Sequence, residues 1–182
     1  VHLFWGDERC VPPDDPESNY RMVHEALLRH IGIPPENVHR IKGELDPALT
    51  AREYEEEIRR AFGVNENAIP RFDLILLGLG EDGHTASLFP GTSALQEKQR
   101  IVTEVYVEKL ESHRITITLS VINNAFHVFF LVSGKSKAQI LGAVLNESPV
   151  SYPAQLVRPV AGELQWLVDQ DAASQLAMVS ER

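Results

Sequence analysis

The sequence predicts an α/β fold: a doubly wound, mostly parallel sheet with helices on both faces. Three observations carry this expectation. Short apolar runs alternate with amphipathic helical stretches along most of the chain. Runs such as LILL at 74–77 and HVFFLV at 127–132 are apolar without alternation, the pattern of strands buried on both sides. The Pro-rich loops PPDDPES at 12–18 and IPPEN at 33–37 are too short to link domains, so one domain over residues 1–182 is expected.

The first strand is expected at 1–5, within VHLFWG. A chain that opens directly on a strand, rather than on a polar end, suggests that an N-terminal part is missing. SNYRMVHEALLRHIG from Ser18 reads as a helix, with Ser and Asn as capping residues. DPALTAREYEEEIRRAFG reads as a second helix, with Asp46 at its N-cap, Pro47 at the first helical position and Gly63 just past its end. The charges of EYEEEIRR within it suit a solvated face. Further strands are expected at 72–77, 101–107, 114–119, 127–132 and 164–168, with KSKAQILGAVL from Lys135 as a third helix.

Of the residues, 43% are hydrophobic and 24% charged, enough to bury a core. The formal charge of −9 disfavours nucleic-acid binding, which needs clustered Lys and Arg. The single cysteine, Cys10, cannot form an internal disulfide and reads as incidental. No stretch resembles a signal peptide or a membrane span, which makes the cytoplasm the expected compartment and leaves the membrane out as a partner.

FDLILLGLGEDGHTASLFPGT at 72–92 places Gly78, Gly80 and Gly83 after a strand, spelling G-x-G-x-x-G. A dinucleotide fingerprint needs a helix to follow, but Pro90-Gly91 interrupts the chain within two helical turns of Gly83, and Asp82 would repel a diphosphate. The loop nevertheless reads as an active-site turn, because glycines at a carboxyl strand end let backbone N–H groups approach a ligand. Asp82 could hold one ring nitrogen of His84 at the start of a short helix, leaving the other to take a proton. The alternative is that Asp82 only caps that helix and His84 is a surface residue.

Other chemistries lack their signatures. SGKSKA at 133–138 has Phe129 where a phosphate loop needs its first Gly, although Gly134 and Lys137 could meet a single phosphate. HEALLRH at 24–30 has the wrong spacing for zinc, and no G-x-S-x-G elbow presents a serine.

Several separated motifs resemble those of the 6-phosphogluconolactonases in the superfamily that also holds glucosamine-6-phosphate deaminase. They are WGDER at 5–9, the DxxxSN of Asp14 to Asn19, GLGEDGHTASLFP at 78–90, RITITL at 114–119 and SGKSKA at 133–138. The deaminase loop reads Ala-Phe-Asn-Glu-Pro where this chain has Ala86-Ser87-Leu88-Phe89-Pro90, a difference that favours the lactonase. The resemblance implies hydrolysis of 6-phosphoglucono-1,5-lactone, with no metal and no cofactor, by a monomer or small homo-oligomer. His84 and Asp82 are then the catalytic pair; Gly78, Gly80 and Gly83 offer N–H groups, and Arg9, Arg114 and Lys137 hold the substrate. Asn19 is expected to fix the loop before the first helix. The family fold also implies an early βα unit with a Ser/Gly-rich phosphate turn, which the chain lacks before Val1. A sugar-phosphate deaminase or isomerase, or a sugar-phosphate sensor without turnover, are the competing expectations.

Overall fold

A computed structural model describes residues 1–146 and 150–176. The strands are β1 (Leu3–Phe4), β2 (Asp7–Arg9), β3 (Val38–His39), β4 (Leu74–Leu77), β5 (Val102–Val107), β6 (Ser112–Ile117), β7 (His127–Val132) and β8 (Glu163–Val168). The α-helices are α1 (Asn19–Ala26), α2 (Pro47–Phe62), α3 (Leu119–Ile122) and α4 (Ala138–Asn146).

α2 forms as its sequence dictates. Asp46 accepts from the Leu49 amide at 3.0 Å, Pro47 starts the helix, and Gly63 ends it at φ 63°. Its buried residues Thr50, Ala51, Tyr54 and Ile58 recur at helical spacing, and this stripe packs against β5 and β6. The Tyr54 hydroxyl accepts from the Trp5 amide at 2.8 Å and donates to the Trp5 carbonyl at 2.9 Å, stapling the N-terminal segment to the helix. The charge run is less solvated than expected. Glu55 and Arg59 are 16% and 12% exposed and pair at 2.8 Å, because Arg59 turns inward to the carbonyls of Asn65 and Ala68.

The single mostly parallel sheet is corrected to three smaller sheets among the described residues. β4, β7 and β8 form a parallel sheet in that order, and β1 pairs with β3 in parallel. β2, β6 and β5 form an antiparallel sheet, also in that order. The cause is the short connection between β5 and β6, Glu108–Glu111, in which Glu111 adopts φ 45° and reverses the chain. A reversal this tight permits only antiparallel pairing.

Burial of LILL and HVFFLV on both faces is also corrected. Ile75, Leu77, Val128, Phe130 and Val132 face the core, where Phe130 stacks on Trp166 at 4.0 Å. Leu74, Leu76, Leu131 and Leu167 lie on the opposite face and are 46–56% exposed. Helices on both faces are therefore not observed for this sheet, because no element among the described residues covers that side.

Candidate active site

The parallel register of β4 with β7 sets the carboxyl ends of both strands side by side, Leu77 opposite Phe130. The Gly78–His84 turn and the Ser133–Lys137 turn leave from that common edge. The antiparallel sheet is tied to it by Ser87, whose hydroxyl donates to Asp7 Oδ2 at 2.6 Å and whose amide donates to Thr116 Oγ1 at 3.2 Å.

His84 and Asp82 meet as expected, Nδ1 lying 2.5 Å from Asp82 Oδ1. Their side chains are 28% and 30% exposed, so the pair sits at the rim of the fold. Burial alone would raise the Asp82 carboxylate, but hydrogen bonds from Lys109 and His84 outweigh it and lower the group to about 2. An ionised carboxylate only accepts, so Nδ1 carries a proton, and in the neutral ring Nε2 presents a lone pair. Among the described residues Nε2 has no hydrogen-bond partner. The ring stacks on Phe89, centroids 4.0 Å apart, and the Lys109 ammonium lies 4.8 Å from the centroid of Phe89's ring. The expected short helix beginning at His84 is corrected to a series of turns, closed by a bridge between Thr85 and Leu88. Asp82 therefore caps no helix.

The glycines serve a purpose the motif did not reveal. A Cβ on Gly80 would lie 2.0 Å from His84 Nδ1, so the imidazole rests directly on the Gly80 α-carbon. Gly83, at φ 76°, is crowded in the same way by the Tyr152 ring. The Gly80 amide donates to the His84 carbonyl at 2.8 Å and the Gly83 amide to the Gly80 carbonyl at 3.0 Å. Gly80 and Gly83 thus hold the turn together, and their N–H groups are not offered to a ligand as expected. Gly78 accepts from Thr85 Oγ1 at 2.9 Å through its carbonyl.

Arg9 and Arg114 are directly opposite one another across β2 and β6. Two like charges in such register repel, and neither has a carboxylate partner among the described residues. Arg9 donates to the Glu17 carbonyl, and Arg114 to Ser112 Oγ at 2.5 Å and the His113 carbonyl at 3.1 Å. A local ion pair of Arg9 with Glu8 does not form. The Glu8 carboxylate, 1% exposed, instead accepts from Ser18 Oγ and from the amides of Arg9, Asn19 and Tyr20, anchoring the start of α1. Burial and the neighbouring Arg9 push Arg114 below its ordinary value. Burial likewise raises Asp7, against the field of Arg9, His84 and Arg114. Asn19 Nδ2 donates to the Asp7 carbonyl at 2.9 Å, which fixes the loop as expected.

Lys137 is half-buried and has no ion pair among the described residues. Asp169, after β8, accepts from Ser133 Oγ at 2.6 Å and from the Gly134 amide at 3.0 Å, so that amide is already engaged. A cavity of about 800 Å³ opens between the two turns, with Glu81, Ser136, Gln139 and Tyr152 in its wall. His84 lies outside this lining. Glu81 makes the cavity a poor place for a phosphate, whereas His84, Arg9 and Arg114 all act on one buried carboxylate, that of Asp7.

A family model described as glucosamine-6-phosphate isomerases/6-phosphogluconolactonase matches residues 1–166. The chain belongs to this family. It is 46% identical over 179 residues to a 6-phosphogluconolactonase of Synechocystis, covering 97% of this chain and 73% of that protein. It is 41% identical to a human 6-phosphogluconolactonase, covering 99% of this chain and 70% of the other. Among solved structures, 6-phosphogluconolactonase from Trypanosoma cruzi matches with a TM-score of 0.85 at 34% identity, over 97% of this chain and 73% of that one.

Within this family member, sequence reasoning missed Lys109, Phe89, Ser87 and Asp169 as neighbours of the site. Ser87 and Phe89 lay inside the quoted motif, so their proximity to His84 was there to be inferred. Lys109 and Asp169 arrive from other turns and carry no local signal. Among the described residues no group of three or more His, Cys, Asp or Glu could hold a metal ion, and no helix is long and apolar enough to cross a membrane. Burial pushes the Cys10 thiol up to about 11, which suits an unreactive side chain.

Proposed function

We propose that the chain is a lactone hydrolase that converts 6-phosphoglucono-1,5-lactone to 6-phosphogluconate, with His84 as general base and then general acid. The observation that carries this reading is the imidazole itself: its Nδ1 is fixed on an ionised carboxylate, and its Nε2 is free of partners among the described residues. Nε2 takes a proton from a water molecule as the water oxygen bonds to the lactone C1 carbonyl carbon. Collapse of the tetrahedral intermediate breaks the bond from C1 to the ring oxygen. The imidazolium returns its proton to that oxygen, and the product is an open-chain acid. Asp82 orients the ring and stabilises its charged form between the two steps.

Arg9 and Arg114, facing one another without a carboxylate, suit a dianion that relieves their repulsion. Lys137, at the neighbouring strand end, is the third cation for the phosphate. With the Gly80 and Gly83 amides spent inside the turn, donors toward the oxyanion come from the other amides of Gly78–Gly83, those of Glu81 and Asp82 among them. No step calls for a metal or an organic cofactor.

The test is hydrolysis of the phosphorylated lactone by a His84→Asn variant, with the spontaneous reaction subtracted. The expected result is a fall in kcat of about 10²- to 10⁴-fold. Wild-type turnover in the variant would remove His84 from this role. Parallel measurement of ammonia release from glucosamine 6-phosphate is expected to show none; release there would favour the deaminase chemistry.

A further inference from the structure

We propose that Lys109 is a positioning residue for His84, acting through the Asp82 carboxylate and the Phe89 ring. The inference rests on the reading of His84 as the base. Asp82 divides its two oxygens between two partners: Oδ1 meets His84 Nδ1, and Oδ2 meets Lys109 Nζ. The same ammonium stands over the ring of Phe89, on which the imidazole stacks. His84, Asp82, Lys109 and Phe89 therefore form a closed circuit of four contacts. Three of them belong to one loop. Lys109 alone is delivered from elsewhere, by the reversal between β5 and β6.

An exposed Lys–Asp pair contributes little to stability, and the Lys109 side chain is 51% exposed. Its effect is local and has two parts. Holding Oδ2 keeps the carboxylate from rotating, so that Oδ1 stays aimed at Nδ1. Its positive charge also offsets that of Asp82, which on its own would favour the protonated imidazolium. A base must be unprotonated before it acts, and a cation on the far oxygen of Asp82 opposes the imidazolium by charge repulsion. Of the other charged groups, Asp82 of its own turn touches the ring, and Asp7 of β2 feels the charges of His84, Arg9 and Arg114. Lys109 is the one cation among the described residues in contact with the carboxylate that holds the imidazole.

The experiment compares wild type with Lys109→Met and Lys109→Arg, following kcat, KM, the pH profile of kcat/KM, and an NMR titration of the His84 ring. In Lys109→Met the acid limb of the profile and the NMR midpoint are expected to move together to higher pH, by about half a unit to one unit for loss of one charge near the surface. At neutral pH kcat is expected to fall about three- to tenfold with KM unchanged, from looser alignment of the ring. Lys109→Arg is expected to restore both. An unmoved limb together with an unmoved NMR midpoint would overturn the proposal. So would a raised KM with unchanged kcat, which would make Lys109 a substrate ligand. If the NMR midpoint moves while the limb does not, the Lys109 assignment stands and His84 is not the base.

Discussion

Gly80→Ala puts a methyl group where the His84 ring now lies. The new Cβ would sit 2.0 Å from Nδ1, 2.2 Å from Cε1 and 2.7 Å from Cγ of the imidazole. Ordinary contact between such atoms is about 3.5 Å, so the ring must move by roughly 1.5 Å. The hydrogen bond to Asp82, 2.5 Å in the present arrangement, cannot survive a displacement of that size. The backbone itself tolerates the change, since Gly80 is not among the glycines with positive φ. The ring is 28% exposed and can swing toward solvent without disturbing the core. A misplacement of about 1 Å typically costs on the order of 10²-fold in rate, whereas Gly to Ala at a compatible site changes stability by about 0.5 kcal/mol. Gly80→Ala is therefore expected to lower kcat for lactone hydrolysis about 10²-fold while urea unfolding stays within about 1 kcal/mol of wild type. Undiminished turnover in a normally folded variant would refute the reasoning, because the imidazole would then act from some other position.

Tyr54→Phe leaves the amide and carbonyl of Trp5 without their partner in a buried setting. A loss of about 2 kcal/mol is expected on urea denaturation, with kcat of the folded fraction unchanged. Arg114→Met removes one of two like charges in direct register. It is expected to stabilise the fold by a few tenths of a kcal/mol while raising KM for the phosphorylated lactone at least tenfold; a lowered stability with unchanged KM would mean that Arg114 serves the sheet and not the substrate.

What could be read from the chain followed from how far apart the interacting residues lie. α2 was legible to the residue, because Asp46, Pro47 and Gly63 act on their own neighbours. β7 begins and ends where its apolar run does. Asp82 and His84 were legible because two residues of separation suffice to bring them together. The antiparallel sheet was not, since the reversal at Glu108–Glu111 uses none of the Gly or Asn residues that usually mark a tight turn. β2 and β3 are too short to give a pattern, at three and two residues. The glycine motif misled in a specific way. Its spacing matches a phosphate turn, yet Gly80 is required by the imidazole and Gly83 by Tyr152, a contact between distant parts of the chain that local spacing does not encode. Lys109 and Asp169 were missed for the same reason.

The Asp169 carboxylate seated on the Gly134 amide has a bearing on how the substrate is caught. The chain fills its own backbone anion seat with an internal acid, and on the proposed reading the phosphate is left to the side chains of Arg9, Arg114 and Lys137. Such attraction weakens as counterions accumulate. On that reading, added salt would slow the arrival of the lactone and leave the chemical step untouched.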